Sequence, residues 1–285
     1  MVPTALVVDL KEHLSNVSSL LAESIQTAPG TISDVYLTGN RDLMRPVSSV
    51  TGIDLGFEDG YYTNYGERPG IFMRTDLKGT EVRRLLTHEY IHHVFDGLAN
   101  ELPLPAWLTE GLSKYYAFDL ALLGPQPDAT QLRQLTASDL VRAAAQSGSL
   151  FSLAALESQN DWNSRTDENE LALQYAEAYM AVRFLNETYG PLSGKNLVEL
   201  IGLGFDLPES MVTLIGLPLS VFESESNQWL ATWEDPVRGP LARYLTDSDA
   251  ILAAETANSE QRARNIGSPM IPSPAAPPWS RPLRN

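Results

Sequence analysis

The 285-residue chain contains no cysteine, which excludes disulfides, thiolate-ligated metal and a thiol nucleophile. Positive charge is scarce as well: 20 Lys and Arg stand against 36 Asp and Glu, for a net charge of −16. Phosphate backbones and anionic membrane surfaces are held by clustered Lys and Arg, so nucleic acid is excluded as the main partner. No stretch approaches about 18 uninterrupted apolar residues, and no membrane span is expected. The opening MVPTALVVDLKEHL has neither a basic start nor a long apolar core, so it does not read as a signal peptide; an extracytoplasmic setting would follow only if a leader had been removed. Histidine is also rare, with four in all.

What is present can bury a core, since 43% of residues are hydrophobic and only 20% charged. Leu10, Leu14, Val17, Leu20, Leu21 and Ile25 recur at helical spacing, predicting an amphipathic helix from about Asp9 to Thr27. Short strands are predicted at Val35–Leu37 and Ile71–Thr75, between stretches rich in Gly, Tyr and turn residues. Beyond Lys78 the pattern turns helical: about Thr80 to Phe95, then a helix from Pro105, where proline suits a first turn. Thr136 and Asp139 have the spacing of a capping box, and the longest helix is capped near Thr166 and stopped at Gly190. Shorter helices are predicted as far as Ala254, and the proline-rich end reads as an extended tail or linker. The fold class expected is α+β, with a small mixed N-terminal sheet and a mainly helical C-terminal lobe. The lobes are placed at 1–98 and 99–256, and the tail at 257–285.

Three of the four histidines fall within His88–His93, and His88-Glu89-Tyr90-Ile91-His92 fits the pattern H-E-x-x-H. On a helix, positions i and i+4 share a face one turn apart, so both imidazoles can reach one tetrahedral ion. Glu89, beside that face, can take a proton from water activated by zinc. The composition would produce this pattern by chance only about 0.004 times. Apolar Leu85, Leu86, Ile91, Val94 and Phe95 surround it, and buried imidazoles and carboxylates need partners, which a metal supplies. His93, five residues from His88, points away from the ligand face and reads as a hydrogen-bonding or structural residue; His13 reads as solvated. The third ligand is not a histidine of the H-x-x-G-x-x-H kind, because Phe95 and Leu98 occupy those two places. A glutamate from a following helix is expected instead. Glu110, inside LPAWLTEGLSKYY, fits best, and Glu101 in the loop is the rival. Asp96 is left between orienting an imidazole and ending the helix in solvent.

H-E-x-x-H followed by Pro105-Ala106-Trp107-Leu108-Thr109-Glu110-Gly111 resembles the gluzincin branch of zinc peptidases, and closely the small peptidase MA-like domains. YAEAYMAVRFLNETYG and FESESNQWLATW extend the likeness to about Val35–Trp233. The resemblance implies a zincin-like fold, Zn2+ as cofactor, His88, His92 and Glu110 as metal ligands, and Glu89 as general base. It also implies a tyrosine facing the developing oxyanion. Tyr175 suits that part by its separation from Glu110, with Tyr179 one turn on as the substitute, although both also fit a core stripe. The aminopeptidase branch carries a glutamate for the substrate's amine on the neighbouring strand. Gly70–Arg74 has no acidic residue there, and its backbone is expected to pair with an extended peptide as an edge strand.

The function expected is a zinc-dependent metallopeptidase, an endopeptidase, acting on a peptide or protein substrate; a regulatory peptidase that cuts one partner protein differs from this only in substrate range. The alternative is a zincin-fold binding or scaffold protein that holds zinc with little or no catalysis. Substrate, compartment and oligomeric state are not written in the sequence.

Overall fold

Leu10, Leu14, Val17, Leu21 and Ile25 are all buried, and they line one face of α1 (Thr4–Ile25). The computed structural model describes residues 2–27, 34–43, 59–64, 70–77, 79–122 and 127–236. Helix α1 begins earlier than the predicted Asp9, directly after Pro3, and the Asp9 carboxylate within it pairs with Arg83. The helix ends where Gln26 turns left-handed at φ 53°.

Three strands form one small sheet among the described residues: β1 (Val35–Thr38), β2 (Gly60–Thr63) and β3 (Gly70–Arg74), in the order β1-β3-β2. β1 runs parallel to β3 and β2 antiparallel to it. Tyr36, Phe72 and Tyr61 are in register across the sheet and stack, with centroids 4.5 and 5.1 Å apart. Ile71 and Met73, which alternate with Phe72, enter the main core. The Gly70–Arg74 strand is therefore central and not an edge: β1 and β2 take the hydrogen bonds on both of its sides. Sequence periodicity missed β2, whose Gly60 breaks the apolar pattern. A Cβ at Gly60 would lie 2.9 Å from Leu85 Cδ2, so the sheet lies close against the helix that follows.

That helix is α2 (Gly79–Leu98), and α3 (Ala106–Leu122) follows a short loop. The loop is pinned by Ala106, whose N–H donates to the Glu157 carbonyl at 2.9 Å. Helix α4 (Pro127–Ser147) runs through Thr136 without a break. Thr136 caps nothing: its hydroxyl donates back to the Leu132 carbonyl at 2.9 Å, as threonines inside helices do. A short α5 (Gln159–Ser164) leads to α6 (Glu168–Tyr189). Asp167 caps α6 through the Asn169 and Glu170 amides, and Gly190 at φ 119° ends it. Three further helices, α7 (Ser193–Gly202), α8 (Leu207–Ile215) and α9 (Leu219–Thr232), complete the described residues.

One core of buried apolar residues runs from Leu10 on α1 through the sheet, α2 and α3 to Phe222 on α9. A second, smaller cluster joins Phe118, Val141, Leu173, Tyr179 and Leu230. The described residues, mainly helical with one small mixed sheet, make an α+β fold, as expected. By its contacts the chain divides into a unit 1–241 and a unit 242–285. The second unit, with the predicted tail at 257–285 and the helical stretch to Ala254, lies outside the described residues. No helix among the described residues is long and apolar enough to cross a membrane.

Candidate metal centre

Helix α2 buries Val82, Leu86, Tyr90, Ile91, Val94 and Phe95. That burial fixes the rotation of the helix and turns His88 and His92 toward α3. Helix α3 is held in turn by Trp107, Leu108 and Leu112, all fully buried. Gly111, next to Glu110, sets how near α3 comes to α6. A Cβ there would sit 2.3 Å from the Ala178 carbonyl oxygen and 2.6 Å from Val182 Cγ2. Only a residue without a Cβ lets the two backbones approach so closely.

The result is a tight triangle. His88 Nε2 and His92 Nε2 are 3.1 Å apart, and Glu110 Oε2 lies 3.3 Å from the first and 3.5 Å from the second. These three residues form a group that could hold a metal ion. The spacing suits one: donors about 2.0–2.1 Å from a tetrahedral centre lie about 3.3 Å from each other. Glu110 Oε2 is buried with no hydrogen-bond donor, the condition a buried carboxylate oxygen normally avoids.

The electrostatics favour the ligating protonation states. Burial pushes His88 down to about 4 against the pull of Glu110, so its ring is neutral near pH 7. Burial would raise Glu110, but the His92 and His88 imidazoles outweigh it and hold the carboxyl below the usual range. A neutral His88 ring and an ionised Glu110 are the forms that a divalent cation binds without first displacing their protons. His92 Nδ1 lies 2.9 Å from Thr109 Oγ1. With that nitrogen engaged, Nε2 keeps its lone pair for the triangle. Thr109 is the orienting residue that sequence reasoning missed; its only signal was its place beside Glu110.

Glu89 is buried on the same helix, between the histidine face and the core. Glu101, the rival ligand, is exposed past the end of α2 with a left-handed φ of 62°, away from the triangle. Asp96 neither orients an imidazole nor ends in solvent. It accepts from Tyr62 Oη at 2.9 Å and Asn64 Nδ2 at 3.0 Å, tying β2 to α2. His93 packs against Tyr62 and Tyr90, with ring centroids 5.4 and 6.1 Å away. His13 is not merely solvated: its Nε2 lies 2.8 Å from Thr87 Oγ1 and 3.1 Å from the Arg83 carbonyl, joining α1 to α2.

The two candidate tyrosines part ways. Tyr179 is fully buried beside Phe118, and its oxygen accepts from Arg183 Nη1 at 2.7 Å. It belongs to the second core cluster and drops out as substitute. Tyr175 is half-buried, with its ring edge-on to Trp162 at 5.1 Å and under Lys114 Nζ at 4.6 Å. Lys114 is one turn beyond Glu110 on α3, so Tyr175 flanks the same stretch of helix.

Compared with protein-family models, curated proteins and solved structures, the chain matches none.

Proposed function

We propose that the protein is a zinc-dependent peptide-bond hydrolase of the gluzincin type, with a zincin-like fold and internal peptide bonds as its targets. One observation carries this reading: His88 Nε2, His92 Nε2 and Glu110 Oε2 converge within 3.5 Å of one another, beside the buried Glu89. A site that only held a structural ion would have no use for a carboxylate at Glu89.

Zinc, when bound, supplies Lewis acidity to a carbonyl oxygen and makes water more acidic, both of which amide hydrolysis requires near neutral pH. His88, His92 and Glu110 would hold it, leaving the site one net positive charge and an open position. Thr109 keeps the His92 ring in the ligating orientation. Glu89 takes the proton from the attacking water and passes it to the leaving nitrogen. Tyr175 donates its phenolic O–H to the oxygen that becomes negative. Internal cleavage is supported by β3, which carries no acidic residue to grip a free amine. Among the described residues β2 is the edge strand beside α2, so the part of pairing with an extended substrate passes from β3 to β2.

The test is Glu89→Gln. The variant should hold zinc as the parent does while its turnover of a mixed peptide library falls about 10²–10⁴-fold. A Glu89→Gln protein as active as the parent contradicts the assignment. Rapid release of single amino acids from amino-acyl anilides would contradict internal cleavage.

A further inference from the structure

The chain has few positive charges, with 20 Lys and Arg against 36 Asp and Glu, yet Lys114, beside the metal triangle, lies within electrostatic reach of two others, Arg84 and Arg133. Arg84 stands one turn before His88 on α2, so Arg84, His88 and His92 rise along one helix face. Lys114 stands one turn after Glu110 on α3, and Arg133 comes from α4. Lys114 is the innermost. Its Nζ lies over the Tyr175 ring, 4.6 Å from the centroid. It donates no hydrogen bond to, and forms no ion pair with, any described residue. Its ammonium is close enough to Glu110, Glu89, Arg84 and Arg133 for each to act on it.

A lysine placed only to offset Glu110 or Glu89 would form an ion pair with one of them. This one lies over an aromatic face and leaves its three N–H donors for something else. Desolvation, with help from Arg84 and Arg133, pushes its pKa down to about 8, so it is still mostly charged at pH 7. A half-buried ammonium without an anionic partner is costly until an anion arrives. An ion in the triangle would also offset the Glu110 charge, which otherwise attracts Lys114.

We infer that Lys114, with Arg84 and Arg133 behind it, binds a carboxylate of the substrate next to the bond that is cut. This rests on the hydrolase reading and names its substrate class: peptides bearing a carboxylate, from an Asp or Glu side chain beside an internal bond or, in place of internal cleavage, from a free C-terminus. Lys114 is thus a specificity-determining residue, and Tyr175 is the platform that aims it.

The experiment uses the full chain loaded with zinc and peptides in matched sets. One set exchanges Glu for Gln and Asp for Asn; the other exchanges a free C-terminus for an amide. Hydrolysis is followed for the parent, and binding by calorimetry on Glu89→Gln protein, so that affinity is read without turnover. The parent should favour the carboxylate member of one set by about 10–100-fold, as expected for a hydrogen-bonded charge pair. The set that shows the preference identifies the source of the carboxylate. Lys114→Gln should abolish the preference by raising KM for acidic peptides, leave neutral peptides nearly unchanged, and be partly rescued by Lys114→Arg. Equal affinity for both members overturns the inference, as does a Lys114→Gln variant that loses kcat equally on both. If acidic peptides bind in a Lys114-dependent way but none is cut, the carboxylate site stands and the hydrolase reading fails.

Discussion

Gly111→Ala separates close packing from helix propensity, because the same substitution at Gly97 should act in the opposite direction. At Gly111 the new methyl would fall 2.3 Å from the Ala178 carbonyl oxygen and 2.6 Å from Val182 Cγ2. An ordinary carbon–oxygen contact is about 3.3 Å, so α3 would have to retreat from α6 by about 1 Å, because a carbonyl within a helix does not swing aside. Overpacking of this kind costs about 1–3 kcal/mol, or a fall in Tm of about 2–12 °C for a unit of this size. The retreat also carries Glu110 away from His88 and His92. Donors now 3.1–3.5 Å apart would no longer share one centre without paying for the distortion, and zinc affinity should drop at least about tenfold. Gly97, on α2, has nothing within 4 Å of its would-be Cβ. There Gly→Ala should be neutral or stabilise by about 0.5–1 kcal/mol. Thermal unfolding of both variants, with and without zinc, decides the matter. A Gly111→Ala protein as stable and as zinc-avid as the parent would refute the claim that this helix contact positions the site.

Thr109→Val removes the hydroxyl on His92 Nδ1 while keeping a β-branched shape. Zinc affinity measured against a chelator of known strength should fall about 10–100-fold, and Thr109→Ser should restore most of it. Burial lifts Glu177 to about 8, opposed by the Phe151 amide and Arg165 and reinforced by Glu223. Its folded pKa lies above the ordinary 4.5, so the folded state holds the proton more tightly, and this group's stability is full below about 4.5 and declines up to about 8. Glu177→Gln, which can still accept from the Phe151 amide, should be relatively more stable than the parent at pH 8 than at pH 5 in urea titrations; parallel pH curves would count against it. Asp96→Ala strands the Tyr62 and Asn64 donors and should cost about 1–3 kcal/mol in urea unfolding, with zinc stoichiometry unchanged.

The candidate site was legible where its chemistry is local. His88 and His92 share a face because the helical repeat puts them there, and no knowledge of the rest of the fold is needed for that. Glu110 required a guess across a loop, which its apolar-periodic setting supported. Residues whose roles depend on distant partners were misread. His13 looked solvated because its partners, the Arg83 carbonyl and Thr87, are 70 and 74 positions away in α2. Asp96 joins β2, a strand that Gly60 had hidden, and Thr136 looked like a cap although α4 continues through it. Gly70–Arg74 read correctly as a strand, but nothing in its own residues tells that two neighbours flank it. Tyr175 and Tyr179 are one turn apart on α6, and only the packing of Phe118 and Arg183 around the second separates them.

The central claim is that two imidazoles and Glu110 share one ion. It is tested most directly by titrating ion-free protein with zinc, for the parent and for Glu110→Ala. The account requires one tightly bound equivalent in the parent, with affinity reduced by orders of magnitude in the variant while the fold persists by circular dichroism. Failure of the parent to bind zinc stoichiometrically, or undiminished binding by Glu110→Ala, would contradict it.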